Sequence, residues 1–286
     1  MEYIIKNQFL QAKILQKGAE LRELVDSDGI NRMHTPSDNT WNRVSPILFP
    51  QVSRIINSEY KVGGQVYKMT THGFVRDAIF NVIKHTENEI TLRYTSNEET
   101  LKMYPYEFIL DVNYVLVANI LEVNFKVTNP NDSKLLYMLG GHPGFRVPLL
   151  NGEKYSDYSL VFEKKEIANR MCLVDNFLAN KYEKYKLEEP IVLNHSLFTN
   201  DALIFRNLES RYVDLISKNH SKKIRFHFSD FEILAIWSKV EEDAAFVCLE
   251  PWNGIQKDFV IDHEKMGVLE IEGNSFDVFG YIIEIL

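Results

Sequence analysis

The sequence predicts an all-β protein, a large sandwich of antiparallel sheets, on three observations. Apolar residues recur with period two, turn-forming clusters separate the runs, and no strand-helix-strand rhythm appears that would build a parallel sheet. The 286 residues suffice for one large β domain or two average ones. No internal repeat, low-complexity tract or long Pro/Gly/Ser linker divides them, so residues 1–286 read as a single domain.

The elements follow in chain order. Asp26-Ser27-Asp28-Gly29 is a turn cluster, as is Gly63-Gly64, after which Tyr67 and Met69 alternate toward His72. Ile90, Leu92 and Tyr94 alternate with Thr91, Arg93 and Thr95, a half-buried strand. Helical periodicity is confined to short stretches such as Glu98 to Met103. Leu121, Val123, Phe125 and Val127 alternate with Glu122, Asn124 and Lys126, and the turn Asn129-Pro130-Asn131-Asp132 follows. Leu135-Leu136-Tyr137 reads as a strand ahead of Gly140-Gly141-His142-Pro143-Gly144. The charge-rich span Lys181 to Pro190 reads as an exposed loop or short helix. Ile224, Phe226 and Phe228 alternate with Lys223, Arg225 and His227.

The strand that ends on Glu250 carries the chemistry. Phe246, Cys248 and Glu250 share one face of Phe246-Val247-Cys248-Leu249-Glu250, and two apolar residues ahead of Glu250 mark that face as buried. Pro251 is expected to end the strand, since it donates no ladder hydrogen bond. An acid at the mouth of an apolar interior demands polar company. Trp252 beside it offers a flat apolar wall of the kind sugars stack on.

Composition narrows the function classes. Hydrophobic residues make up 45% and charged ones 25%, ordinary for a globular chain with a sizeable core. A net charge of -8 disfavours nucleic acid and anionic lipid as partners. No apolar run reaches the length of a membrane span and Met1-Glu2-Tyr3 opens no signal peptide, so the expected location is cytoplasmic. Cys172 and Cys248 read as reduced thiols, and the triplets at Asn131, Asn194 and Asn219 then carry no glycosylation.

His142 stands among Gly140, Gly141 and Gly144, whose missing side chains are expected to let a ligand approach the backbone. His72 precedes Gly73-Phe74, and Arg54 closes the apolar segment Phe49-Pro50-Gln51-Val52-Ser53, where it pairs with a carboxylate such as Asp77 or serves a site. His227 takes the polar face of its strand; His34, His85, His195, His220 and His263 are loop or charged-neighbourhood residues. No His-x-His, His-x-x-x-His or Cys-x-x-Cys spacing appears, so no metal is expected. Nor is there a phosphate-binding glycine loop or a Gly-x-Ser-x-Gly elbow.

The ordered set Phe49-Pro50 to Arg54, His72-Gly73-Phe74, Gly141-His142-Pro143 and Leu249-Glu250-Pro251-Trp252 resembles the aldose 1-epimerases, or galactose mutarotases, within them the LacX-like branch. The resemblance implies a β-sandwich of galactose-mutarotase type with the sugar in a cleft on one sheet, and no cofactor. It implies that Glu250 is the general base and His142 the general acid, with Arg54, His72 and Asp201 holding the sugar. Ser53 departs from the family pattern, which usually has glycine there, and so does Pro143-Gly144 after the histidine.

The implied reaction interconverts α- and β-anomers of an aldose: a proton leaves the anomeric hydroxyl, one reaches the ring oxygen, and the opened ring recloses on either face. A carboxylate near about 4.3 and a histidine near about 6.5 are expected to suit this without extreme tuning, from opposite sides of the sugar. The rivals are a hexose-6-phosphate mutarotase with Arg54, Arg76 and Arg146 as phosphate ligands, a non-catalytic sugar-binding protein of the same shape, and a glycoside hydrolase using a second carboxylate such as Asp201 or Asp77.

Overall fold

The computed structural model describes residues 1–36, 41–174, 177–241, 244–255 and 268–286. Two large antiparallel sheets dominate them, one of nine strands and one of eight, with a three-stranded sheet (Glu2–Lys6, Leu10–Leu15, Leu21–Asp26) and two two-stranded pairs at the periphery. The one α-helix among the described residues is Glu98–Met103, started by a capping box in which Asn97 Oδ1 accepts from the N–H groups of Glu99 and Thr100.

The period-two runs fold as read. Leu121, Val123, Phe125 and Val127 lie buried in the strand Ile120–Asn129, in the middle of the nine-stranded sheet. Their apolar face joins one continuous core with Val247 and Leu249 of Phe246–Asn253, a central strand of the other sheet. The span from Lys181 differs from expectation: it continues the strand Phe177–Lys186, paired to Ile167–Val174 at the edge of the eight-stranded sheet. Edge strands carry charges because a wet, lysine-rich edge resists pairing with another chain. His263 lies outside the described residues.

Pro251 does not stop its strand, which runs on through Asn253. The reason is local. One flank of Phe246–Asn253 pairs with Ile233–Trp237, while the other meets two short strands, Leu139–Gly141 and Gly144–Arg146, with a break at residues 142–143. Leu249 N–H donates to Pro143 O across that break at 3.1 Å. Two residues on, the N–H that Pro251 lacks would point the same way, so the ladder to Ile233–Trp237 loses nothing.

Candidate active site

Strand alternation sends Val247 and Leu249 into the inter-sheet core and Phe246, Cys248, Glu250 and Trp252 to the opposite face. That face is buried as expected, but by a cleft wall rather than by the second sheet: Trp41 and Trp237 pack on Phe246 and Cys248, and Trp252 joins Leu48, Ile204 and Ala235. Glu250 is 2% exposed, opposite the small Ala235. A cavity of about 230 Å³ opens above it, lined by Trp41, Arg54, His72, Arg76, His142, Asp201, Trp237, Glu250 and Trp252 among others. All five residues singled out in the sequence therefore meet in one cleft.

The break between the two short strands presents His142. Its Nε2 lies 3.2 Å from Glu250 Oε2. The imidazole is walled by Trp41 at 4.8 Å between centroids and by the edges of Trp237 and His72 at 5.7 and 5.6 Å. The three glycines serve this packing rather than a ligand. A Cβ on Gly140 would lie 2.7 Å from Trp252, one on Gly141 2.7 Å from Tyr281, and one on Gly144 2.9 Å from Trp41.

His72 and Ser53 hold one another. Ser53 N–H donates to His72 Nδ1 and His72 N–H donates to Ser53 O, both at 3.1 Å. Ser53 has φ 66° and His72 φ 65°, left-handed values that glycine reaches more cheaply. The usual glycine at position 53 thus answers to backbone geometry, and the hydrogen-bonded pair sustains serine there. Next to it, Gly73 at φ +73° packs so closely that a Cβ would lie 2.0 Å from Phe49 O.

Arg54 is half-exposed at the rim, 3.9 Å from Asp201 Oδ2. Asp77, the alternative partner, instead pairs with Arg43 at 3.0 Å and Lys17 at 3.2 Å. Asp201 sits at φ 67° just after the turn His195–Phe198, and its Oδ1 accepts from Ala202 N–H at 3.0 Å. Arg146 is not among the lining residues, whereas Arg76 is.

The electrostatics differ from expectation. Burial holds the His142 imidazole down at about 3, its own carbonyl opposing and Arg76 and Arg43 adding to the depression. Burial likewise pushes Glu250 well above the usual carboxylate range, helped by repulsion from Asp201 and opposed by the Trp252 indole N–H, which lies outside hydrogen-bond geometry. Desolvation beats mutual attraction, so the resting pair is neutral, a carboxylic acid against an imidazole. Burial also keeps His72 neutral, with His142 and three arginines adding to the effect. Since His72 Nδ1 accepts from Ser53, its proton sits on Nε2. Trp41, Trp237 and Arg76 complete the walls. Trp237 was legible as the third of Ile233, Ala235 and Trp237, which alternate on one face.

The family model for aldose 1-epimerase matches residues 1–265, and the chain belongs to that family. It is 34% identical over 263 residues to the plasmid-encoded protein LacX of Lactococcus lactis subsp. lactis, covering 88% of this chain and 87% of that one. Among solved structures it resembles a galactose mutarotase related enzyme from Lactobacillus acidophilus, with TM-score 0.94, 32% identity, and coverage of 100% of this chain and 97% of that chain. A galactose mutarotase-like protein from Lactobacillus casei gives TM-score 0.90 at 29% identity, with both chains covered completely. The fold is accordingly the galactose-mutarotase sandwich, and family membership supports a sugar epimerase.

Proposed function

We propose that this chain, as one catalytic domain, interconverts the α- and β-anomers of an aldose by general acid–base ring opening without a cofactor. The carrying observation is the 3.2 Å contact between His142 Nε2 and Glu250 Oε2 at the floor of the cleft. The two groups touch, so they approach the sugar from one side, not from opposite sides. That arrangement suits the reaction, because the anomeric hydroxyl and the ring oxygen are bonded to the same carbon and lie close together.

The proton ledger is simple. Once Glu250 has passed its proton to His142 across their 3.2 Å contact, ring opening moves the C1 hydroxyl proton to the Glu250 carboxylate and the His142 proton to the ring oxygen. The pair ends as acid and imidazole, its form in the free protein, and ring closure on either face runs the transfers backwards. Net charge on the pair is zero throughout, which spares a buried site the cost of a lone ion. Arg54 and Asp201 are assigned to the sugar hydroxyls, His72 Nε2–H to an oxygen near C1, and Trp41, Trp237 and Trp252 to the apolar walls. Each proton-transfer group contributes on the order of 10²–10⁴ in rate.

The test is polarimetry on freshly dissolved α-galactose and α-glucose. Accelerated mutarotation by the wild type supports the reading, and rates equal to buffer alone contradict it. A phosphorylated sugar is a second reading favoured by one observation: the buried Arg76 Nε has no hydrogen-bond partner among the described residues, and Arg76 faces the same cleft as Arg54. Comparing kcat/KM for free and 6-phosphorylated hexoses in wild type and Arg76→Ala separates the two. Two free cysteines accord with a reducing compartment as the place of action.

A further inference from the structure

Sequence spacing gave no reason to expect a metal site, yet the fold assembles one set of donors from separated positions. Cys248 and Glu250, two residues apart on one strand, project from the same face, and the break at residue 142 brings His142 against them. One donor atom from each of the three lies within 4.8 Å of the others, and all three residues are buried. We propose that His142, Cys248 and Glu250 bind a thiophilic divalent cation of the zinc class, and that filling this site switches the enzyme off.

The chemistry fits on three counts. Thiolate, imidazole and carboxylate are the zinc donors, and a tetrahedral ion with bonds of about 2.0–2.3 Å holds its ligands roughly 3.3–3.8 Å apart. His142 and Glu250 stand at 3.2 Å already, so only the reach to Cys248 has to close, by about 1.5 Å at most. Charge balances as well: a dication with one thiolate, one carboxylate and one neutral imidazole sums to zero, which a site this buried requires. Binding expels the thiol proton of Cys248 and the carboxyl proton of Glu250, two protons leaving to solvent per ion bound. Access runs through the cleft, whose lining includes His142 and Glu250. Cys248 is fully buried behind them, and a Cβ on Gly144 would lie 3.4 Å from its sulfur.

The switch rests on the proposed function, because an ion held by Glu250 and His142 removes both proton carriers at once. The test uses metal-free full-length protein, zinc titrated against a chromogenic chelator, and cobalt as a spectroscopic stand-in. Wild type is expected to take one zinc per chain and to show sulfur-to-cobalt charge-transfer absorption. Cys248→Ala and His142→Asn, each folded by circular dichroism, are expected to bind zinc at least tenfold more weakly, and the first to lose the charge-transfer band. Wild-type affinity in both variants, or no saturable binding by wild type, overturns the site. In polarimetry, zinc should halt the wild type at the occupancy the titration gives and spare Cys248→Ala; unimpaired turnover with the site filled overturns the switch. A metal-free wild type with no mutarotase activity counts against the proposed function, while the zinc titration still decides the site.

Discussion

Ser53 and His72 exchange two backbone-anchored hydrogen bonds at 3.1 Å, each residue held in the left-handed region by the other. The clasp fixes the His72 tautomer and aims its Nε2–H. Ser53→Gly is expected to keep activity and fold, since glycine reaches that conformation freely. Ser53→Pro removes the N–H and imposes the wrong φ, and should raise KM at least tenfold with a smaller change in kcat. Steady-state polarimetry checks both.

Gly73→Ala should destabilise strongly. The added Cβ would fall 2.0 Å from Phe49 O at a φ of +73°, so backbone must move. A loss on the order of 2–4 kcal/mol, read by urea denaturation, is expected. A loss under about 0.5 kcal/mol, the size of an ordinary surface substitution, would show that the Phe49 and Gly73 segments separate easily.

Acid stability carries the signature of His142. Its folded pKa, about 3, lies below the ordinary 6.5, so between these values the unfolded chain binds more protons than the folded one. Stability therefore falls as pH drops from about 6.5 toward 3. Glu250, raised by burial, acts oppositely, binding its proton more tightly when folded and losing its contribution as pH rises through its folded pKa. His142→Asn should flatten the acid slope of a thermal-melt series. An unchanged slope would mean that His142 is already charged in the folded protein.

Trp41 shields the His142 ring at 4.8 Å. Trp41→Ala should admit water, raise the imidazole pKa toward its ordinary value, and slow mutarotation at neutral pH. NMR titration of the His142 ring reports the shift directly. A ring that stays neutral to the same low pH would assign the desolvation to the strand floor instead.

Much of this was legible in the sequence. Leu121 to Val127 and Ile224 to Phe228 gave strands and core faces, because a half-buried strand writes its face in alternating residues. Glu250, His142, His72, Arg54 and Asp201 entered through motif order, and the fold brings them to one cleft. What the sequence hid depends on three-dimensional neighbours. Pro251 looked like a terminator because the gap opposite it is built by residues a hundred positions away. The glycines around His142 looked like ligand clearance, while Trp41, Trp252 and Tyr281 occupy that space. Charge states were misjudged because ordinary pKa values ignore how dry the floor is.

The measurement closest to the central claim is the mutarotation rate of Glu250→Gln and His142→Asn, with circular dichroism as the fold control. Glutamine keeps the shape of Glu250 and asparagine puts a smaller polar amide in place of the imidazole; both abolish proton transfer, so each folded variant should lose at least a hundredfold in kcat. Either folded variant turning over near the wild-type rate would contradict the acid–base pair.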